Sequence, residues 1–118
     1  MRELHSIIKR IEARPAMWTG ENSLRSIKTF LDGYSLALSE HKIIESEENS
    51  EPNFHDWVAD RLGFGSSTAG WHNMILAYAM DLDPLNVGWD SYYNNATDNQ
   101  HTESIKMFYQ LYWEYISC

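Results

Sequence analysis

The chain has 118 residues, 43% of them hydrophobic and 14% aromatic, and carries a formal net charge of −8. The length suits one helical domain over 1–118 with a core of its own, and the composition excludes a disordered chain. The negative charge disfavours nucleic acid or an anionic membrane as the direct ligand, because phosphates repel it over a Debye length.

Apolar residues recur at helical spacing in five places. Leu4, Ile7, Ile8 and Ile11 form the first stripe, which Pro15 stops by disfavouring helical geometry at Arg14. Leu24, Ile27, Phe30, Leu31, Tyr34 and Leu38 form the second, opened by Asn22 or Ser23 as N-cap. Gly33 lies inside that run at a cost of about 1 kcal/mol against Ala, which predicts another helix crossing close to it. A third, short stripe comprises Phe54, Trp57, Val58 and Leu62, with Asn53 placed to cap it and Gly63 and Gly65 to end it. After a Ser66-Ser67-Thr68 capping cluster, Trp71, Met74, Ile75 and Tyr78 make the fourth. Ile105, Phe108, Tyr109, Tyr112 and Ile116 make the fifth, and Leu31, Trp57, Trp71, Ile75, Phe108 and Tyr112 are the expected core. No segment alternates with period two, so the expected fold is an all-α bundle of about five helices.

Two connections are unlike ordinary loops. Glu45 to Glu51 holds four glutamates and no base, a pattern that usually marks a solvated loop. The stretch DLDPLNVGWDSYYNN, Asp81 to Asn95, interleaves Trp89, Tyr92 and Tyr93 with Asp81, Asp83 and Asp90 before the last helix. Pro84 and Gly88 keep it from being helical, and a connection of that length in a small domain is uncommon and often functional. The plain alternative is that its rings fold back onto the core.

Charge and aromaticity are distributed unevenly. From Leu62 to Cys118 the only Lys or Arg is Lys106, against six acids and eleven of the sixteen Phe, Trp and Tyr residues. Carboxylates steer the encounter with a basic partner and rings supply the anchoring contact. Glu45, Glu47, Glu48, Asp83, Trp89, Asp90, Tyr92 and Tyr93 are accordingly the expected partner-binding residues.

No catalytic or metal-binding motif competes with that reading. The five histidines are scattered without an i, i+4 pair, and one cysteine cannot build a thiolate cluster, so no metal or cofactor is expected. There is no Gly-x-Ser-x-Gly elbow, and Gly63-Phe64-Gly65-Ser66-Ser67 lacks the Gly-Lys-Ser/Thr of a phosphate loop. A binding protein rather than an enzyme is expected. Arg2 to Arg14 is charged throughout, unlike a secretory signal, and no stretch approaches the ~18 apolar residues of a membrane span. The expected compartment is the cytoplasm.

Arg14-Pro15-Ala16-Met17-Trp18-Thr19-Gly20, Ser23-Leu24, Phe30-Leu31-Asp32-Gly33-Tyr34 and Gly70-Trp71-His72-Asn73-Met74-Ile75-Leu76 together span most of the chain. They resemble a family of small bacterial proteins with the pattern RP-small-Met-aromatic-x-Gly, SL, FLDGY and GW-x-N-I/M-I-L. Members of such families recur in polymorphic-toxin and contact-dependent growth inhibition loci as candidate immunity proteins. The resemblance implies a cytoplasmic protein that binds a cognate toxin, a basic nuclease toxin by charge, and occludes its active site or substrate surface. It brings no functional residues with it, and the matching positions read as scaffold: the Pro15–Gly20 turn, Gly33 and the Trp71 anchor. RPAMWTG also looks like a stretch of gyrase-type ATPases, whose Asn helix and glycine-rich lid have no counterpart here. The other reading of the same surface is a helical adaptor or regulatory protein for a different basic cellular partner.

Overall fold

The computed structural model describes residues 2–13, 23–40, 52–65 and 68–117. Among these, five α-helices and one single-turn 3-10 helix make up the regular structure, and no residue is in a strand. The all-α expectation therefore holds. Contacts divide the chain into two compact units, Met1–Glu51 and Pro52–Cys118.

The first unit contains α1 (Arg2–Ala13) and α2 (Leu24–Glu40). Ile7, Ile8 and Ile11 are buried on α1, and Leu24, Ile27 and Leu31 on α2, as helical spacing requires. Ser23 is the N-cap of α2: its Oγ accepts the Ser26 amide at 3.2 Å, satisfying one of the orphan donors of the first turn. Asn22 and the Pro15–Gly20 turn lie outside the described residues. Phe30 and Tyr34 stack one turn apart at 6.2 Å, and Lys28 pairs with Asp32 at 2.6 Å. Among the described residues, no helix crosses close to Gly33. The residue is exposed, and a Cβ built there meets nothing within 4 Å.

The second unit is built from α3 (Pro52–Leu62), α4 (Trp71–Ala79) and α5 (Asp98–Ser117), which pack on one another pairwise. Its centre is the fully buried Phe54. Around that ring stand Trp71 of α4 at 5.4 Å and Phe108, Tyr112 and Tyr115 of α5 at 6.2, 5.8 and 5.2 Å, all steeply inclined to it. Trp71 in turn stacks on Phe108 at 4.9 Å. Edge-to-face arrangements place the positive rim of one ring on the negative face of the next, adding about 0.5–1.5 kcal/mol per pair to the area buried. Val58, Met74, Ile75 and Ile105 fill the remaining space.

Helix starts differ from expectation at α3 and α4. The α3 helix begins at Pro52, so Asn53 lies within its first turn and does not cap it. Proline suits that first position because its φ is preset and the missing N–H has no partner there in any case. The N-cap of α4 is Gly70, at φ 98° and ψ 145°, with no side-chain capping bond. Ser66 and Ser67 lie outside the described residues, and Thr68 is two positions too early. A Cβ at Gly70 would stand 2.9 Å from His72 Cε1, so backbone and space both demand glycine. Thr97 and Gln100 form a full capping box for α5: the Gln100 amide donates to Thr97 Oγ1 at 3.1 Å and the Thr97 amide to Gln100 Oε1 at 2.9 Å.

Two helices end in Schellman motifs. The Phe64 amide donates to Ala59 O at 2.8 Å, with Gly63 in the left-handed region and Phe64 buried against the end of α3. At the end of α4 the Leu82 amide donates to Ala77 O at 3.1 Å and the Asp81 amide to Tyr78 O at 3.0 Å. There the left-handed residue is Asp81, at φ 61°, in place of the usual glycine.

The stripes overestimate burial at Trp57, Tyr78 and Ile116. Trp57 is half-buried at the rim, stacked on Phe54 and tilted on Tyr115. Tyr78 and Ile116 stand in the last turns of α4 and α5 and are exposed. Periodicity reports which side of a helix is apolar but not where its neighbours end, and the 20-residue α5 outruns the 11-residue α3 and 9-residue α4.

Phe54→Ala is expected to cost about 3–5 kcal/mol in chemical denaturation, as for deleting a large core ring, and Trp57→Ala clearly less. Asp81→Gly is expected to raise stability by about 1 kcal/mol through relief of the left-handed conformation, measured the same way.

Candidate functional site

The connection from Met80 to Thr97 is stitched by its own backbone. Asp83, Pro84, Leu85 and Asn86 form a β-turn closed by the Asn86 amide on Asp83 O at 3.0 Å, with proline at the second position where its φ is preset. The Asp83 carboxylate also accepts the Leu85 amide at 3.1 Å, an Asx turn. Downstream, Gly88 O accepts both the Ser91 and Tyr92 amides at 3.1 and 3.0 Å, which starts the 3-10 turn Tyr92–Asn95. Each amide bonded locally removes a reason for the segment to pair elsewhere.

One polar latch holds this connection to α4. The Tyr92 hydroxyl donates to Asn73 Oδ1, and Asn73 Nδ2 donates to Ala69 O at 2.7 Å. The Asn73 amide thereby ties the segment before α4 to the aromatic loop after it. Tyr92 is buried, and its ring lies edge-on to Trp89 at 5.3 Å. Trp89 in turn tilts against the buried Phe64 at 6.0 Å.

These contacts leave an open cleft of about 560 Å³. Phe64 and Trp89 line one part of it, Pro84 and Leu85 another, and Thr68, Ala69 and Asn73 supply the rest. Leu85 is 85% exposed, the most exposed large apolar side chain among the described residues. A leucine held out at the tip of a turn, next to a half-buried tryptophan, offers apolar surface that water covers at a cost.

The expected partner-binding residues therefore separate. Asp83 and Asp90 are exposed, and Trp89 lines the cleft half-buried. Tyr93 is half-buried with its ring 5.2 Å from that of His101. Tyr92 is buried rather than exposed: its hydroxyl finds an acceptor on α4, and it acts as the latch. Glu45, Glu47 and Glu48 lie outside the described residues. Phe64, Asn73, Pro84 and Leu85 were not singled out from the sequence. Phe64 reads there as part of a helix stop between two glycines, although an apolar residue just after a C-terminal glycine is a known packing signal. Leu85 follows an Asp-Pro turn signature, which marks the turn but not its exposure.

Charge sharpens the picture. Residues 52–118 carry eight acids and two Lys or Arg. Both bases are matched by an acid, Arg61 by Glu114 at 3.1 Å and Lys106 by Glu103 at 3.7 Å. Among the described residues no base pairs with Asp81, Asp83 or Asp90. Also among the described residues, no group of three His, Cys, Asp or Glu is arranged to hold a metal ion, and no helix is long and apolar enough to cross a membrane.

Tyr92→Phe leaves Asn73 Oδ1 without its donor and is expected to cost about 1–2 kcal/mol in denaturant unfolding. A double-mutant cycle with Asn73→Ala should return a coupling of about 1 kcal/mol if the latch is the interaction being removed.

Compared with known proteins, the chain matches no family model, no curated protein and no solved structure.

Proposed function

We propose that this protein is an immunity protein, which binds a cognate bacterial toxin domain in the cytoplasm and neutralises it by covering its active site or substrate surface. One observation carries the reading. An open cleft with exposed apolar surface at Leu85 and Trp89 sits on a loop whose three aspartates have no base opposite them among the described residues, in a unit with eight acids and two matched bases. Its carboxylates are complementary to a partner that brings its own Lys and Arg, and its exposed apolar surface gains from being covered. Nuclease toxins are basic because their substrate is a polyanion, and an acidic inhibitor meets the same residues that the substrate would. The resemblance to immunity-type proteins supplies the toxin, and the chemistry of the cleft supplies the sign of the partner. Binding of this kind needs no cofactor and no catalytic group.

The division of labour follows from where each group lies. Exposed Asp83 and Asp90 act at long range and set the rate of encounter, whereas Trp89 and Leu85 make short-range contact and set residence time. An adaptor for another basic partner would use the same surface, so the experiment must identify the partner. Co-expression with the product of the adjacent upstream gene should rescue growth from that product's toxicity, and the two proteins should purify together. Rescue by an unrelated acidic helical protein, or no rescue, overturns the immunity reading.

The kinetics give a second check. Raising salt from roughly 0.05 to 0.5 M should slow association tenfold or more and change dissociation little. Asp83→Lys with Asp90→Lys should slow association by about tenfold at low salt without altering the melting transition. An association rate indifferent to both would make the acidic surface a solubility device only.

A further inference from the structure

Basic partners present two side chains, and the cleft discriminates between them. The lysine ammonium is a compact, strongly hydrated charge that loses much of its hydration against an apolar wall. The arginine guanidinium is flat and weakly hydrated, stacks on aromatic faces, and carries its charge on a stem that covers apolar surface. The lining of this cleft is mixed, with Phe64, Pro84, Leu85 and Trp89 giving it apolar surface beside the polar Thr68 and Asn73. Its tryptophan is braced from inside by Phe64 at 6.0 Å and by the edge of Tyr92 at 5.3 Å, so little side-chain freedom is left to lose on binding. Acids accompany the apolar lining at two points of the loop. Asp90 follows Trp89 directly, and Asp83 opens the turn that carries Pro84 and Leu85.

We infer that the cleft receives an arginine side chain of the partner, its guanidinium laid on the Trp89 indole and its charge met by Asp83 and Asp90. An anion is repelled by the loop. A purely apolar side chain would fill the lining and leave the aspartates without a complement. Arginine alone among the common side chains uses the indole face, the apolar rim and the carboxylates together. The inference deepens the proposed function and rests on its reading of the partner as a basic protein.

The test uses the full-length, nitrogen-15-labelled protein and a capped tripeptide, acetyl-Gly-Arg-Gly-amide, followed by the Trp89 indole N–H and Leu85 amide resonances. Peptides with lysine, citrulline or leucine at the centre serve as comparisons. Citrulline keeps the planar shape of arginine and removes the charge. The arginine peptide should give saturable shifts at both resonances with a Kd of about millimolar order, lysine should bind about threefold more weakly, and citrulline and leucine about tenfold more weakly. Asp83→Asn with Asp90→Asn should weaken the arginine peptide about tenfold. These exposed substitutions keep the amide oxygen that the Leu85 N–H needs, and thus the turn. Trp89→Leu should abolish the preference for arginine over leucine. Equal binding of citrulline or leucine overturns the inference in favour of a plain apolar docking cleft, as does the absence of any shift at Trp89. Toxin neutralisation without arginine preference would sink the inference and leave the proposed function standing. Arginine preference without neutralisation of the upstream product would do the reverse.

Discussion

Phe54 is the interaction on which the second unit turns. A single ring on α3 touches rings from both of the other helices, so removing it takes away its contacts with Trp71 on α4 and with Phe108, Tyr112 and Tyr115 on α5 at once. An aliphatic core distributes its contacts over many equivalent methyl groups. A ring cluster concentrates them in a few directional pairs, which fix the rotation of each helix about its axis as well as its distance. That rotational constraint positions everything at the surface. With Trp71 stacked on Phe108, Asn73 is placed two residues along α4, on the side from which it reaches Ala69 and Tyr92.

The loop between α4 and α5 is held by two kinds of force with different ranges of control. Its outline comes from short-range backbone bonds at Asp81, Asp83 and Gly88, which the local sequence encodes. Its attachment comes from a polar bridge through Asn73 and from the Phe64–Trp89–Tyr92 ring series. A loop shaped by its own hydrogen bonds and pinned at a few points holds its surface residues in place without being buried. Preorganisation of that kind lowers the ordering cost of any binding at such a surface.

Charge asymmetry follows the same division of the chain. Residues 1–51 carry seven bases against nine acids, whereas residues 52–118 carry two against eight. Self-repulsion in the second unit is a destabilising term that its aromatic core must offset, and a net-neutral surface would have been more favourable for folding alone. Among the described residues Asp81, Asp83 and Asp90 have no matching base, which leaves the loop beside the cleft negative at some expense in stability.

Local and periodic features were legible in the sequence. Local sequence identified all five helices, narrowed the α2 cap to Asn22 or Ser23 and marked the glycine stop after Leu62, because each depends on residues within one or two turns of itself. The capping box of α5 was equally available in Thr97-x-x-Gln100 and went unread. The interleaving of Trp89 with Asp83 and Asp90 marked the connection that carries the cleft. What tertiary structure alone decided was which ring faces which way. Tyr92 and Tyr93 are adjacent and chemically identical, yet one is buried by a hydrogen bond to a residue nineteen positions away and the other is half exposed. Phe64 and Leu85 line one cleft although twenty-one positions separate them. Sequence determines local conformation through neighbours along the chain, whereas exposure and the assembly of a site depend on neighbours across space, which no periodicity records.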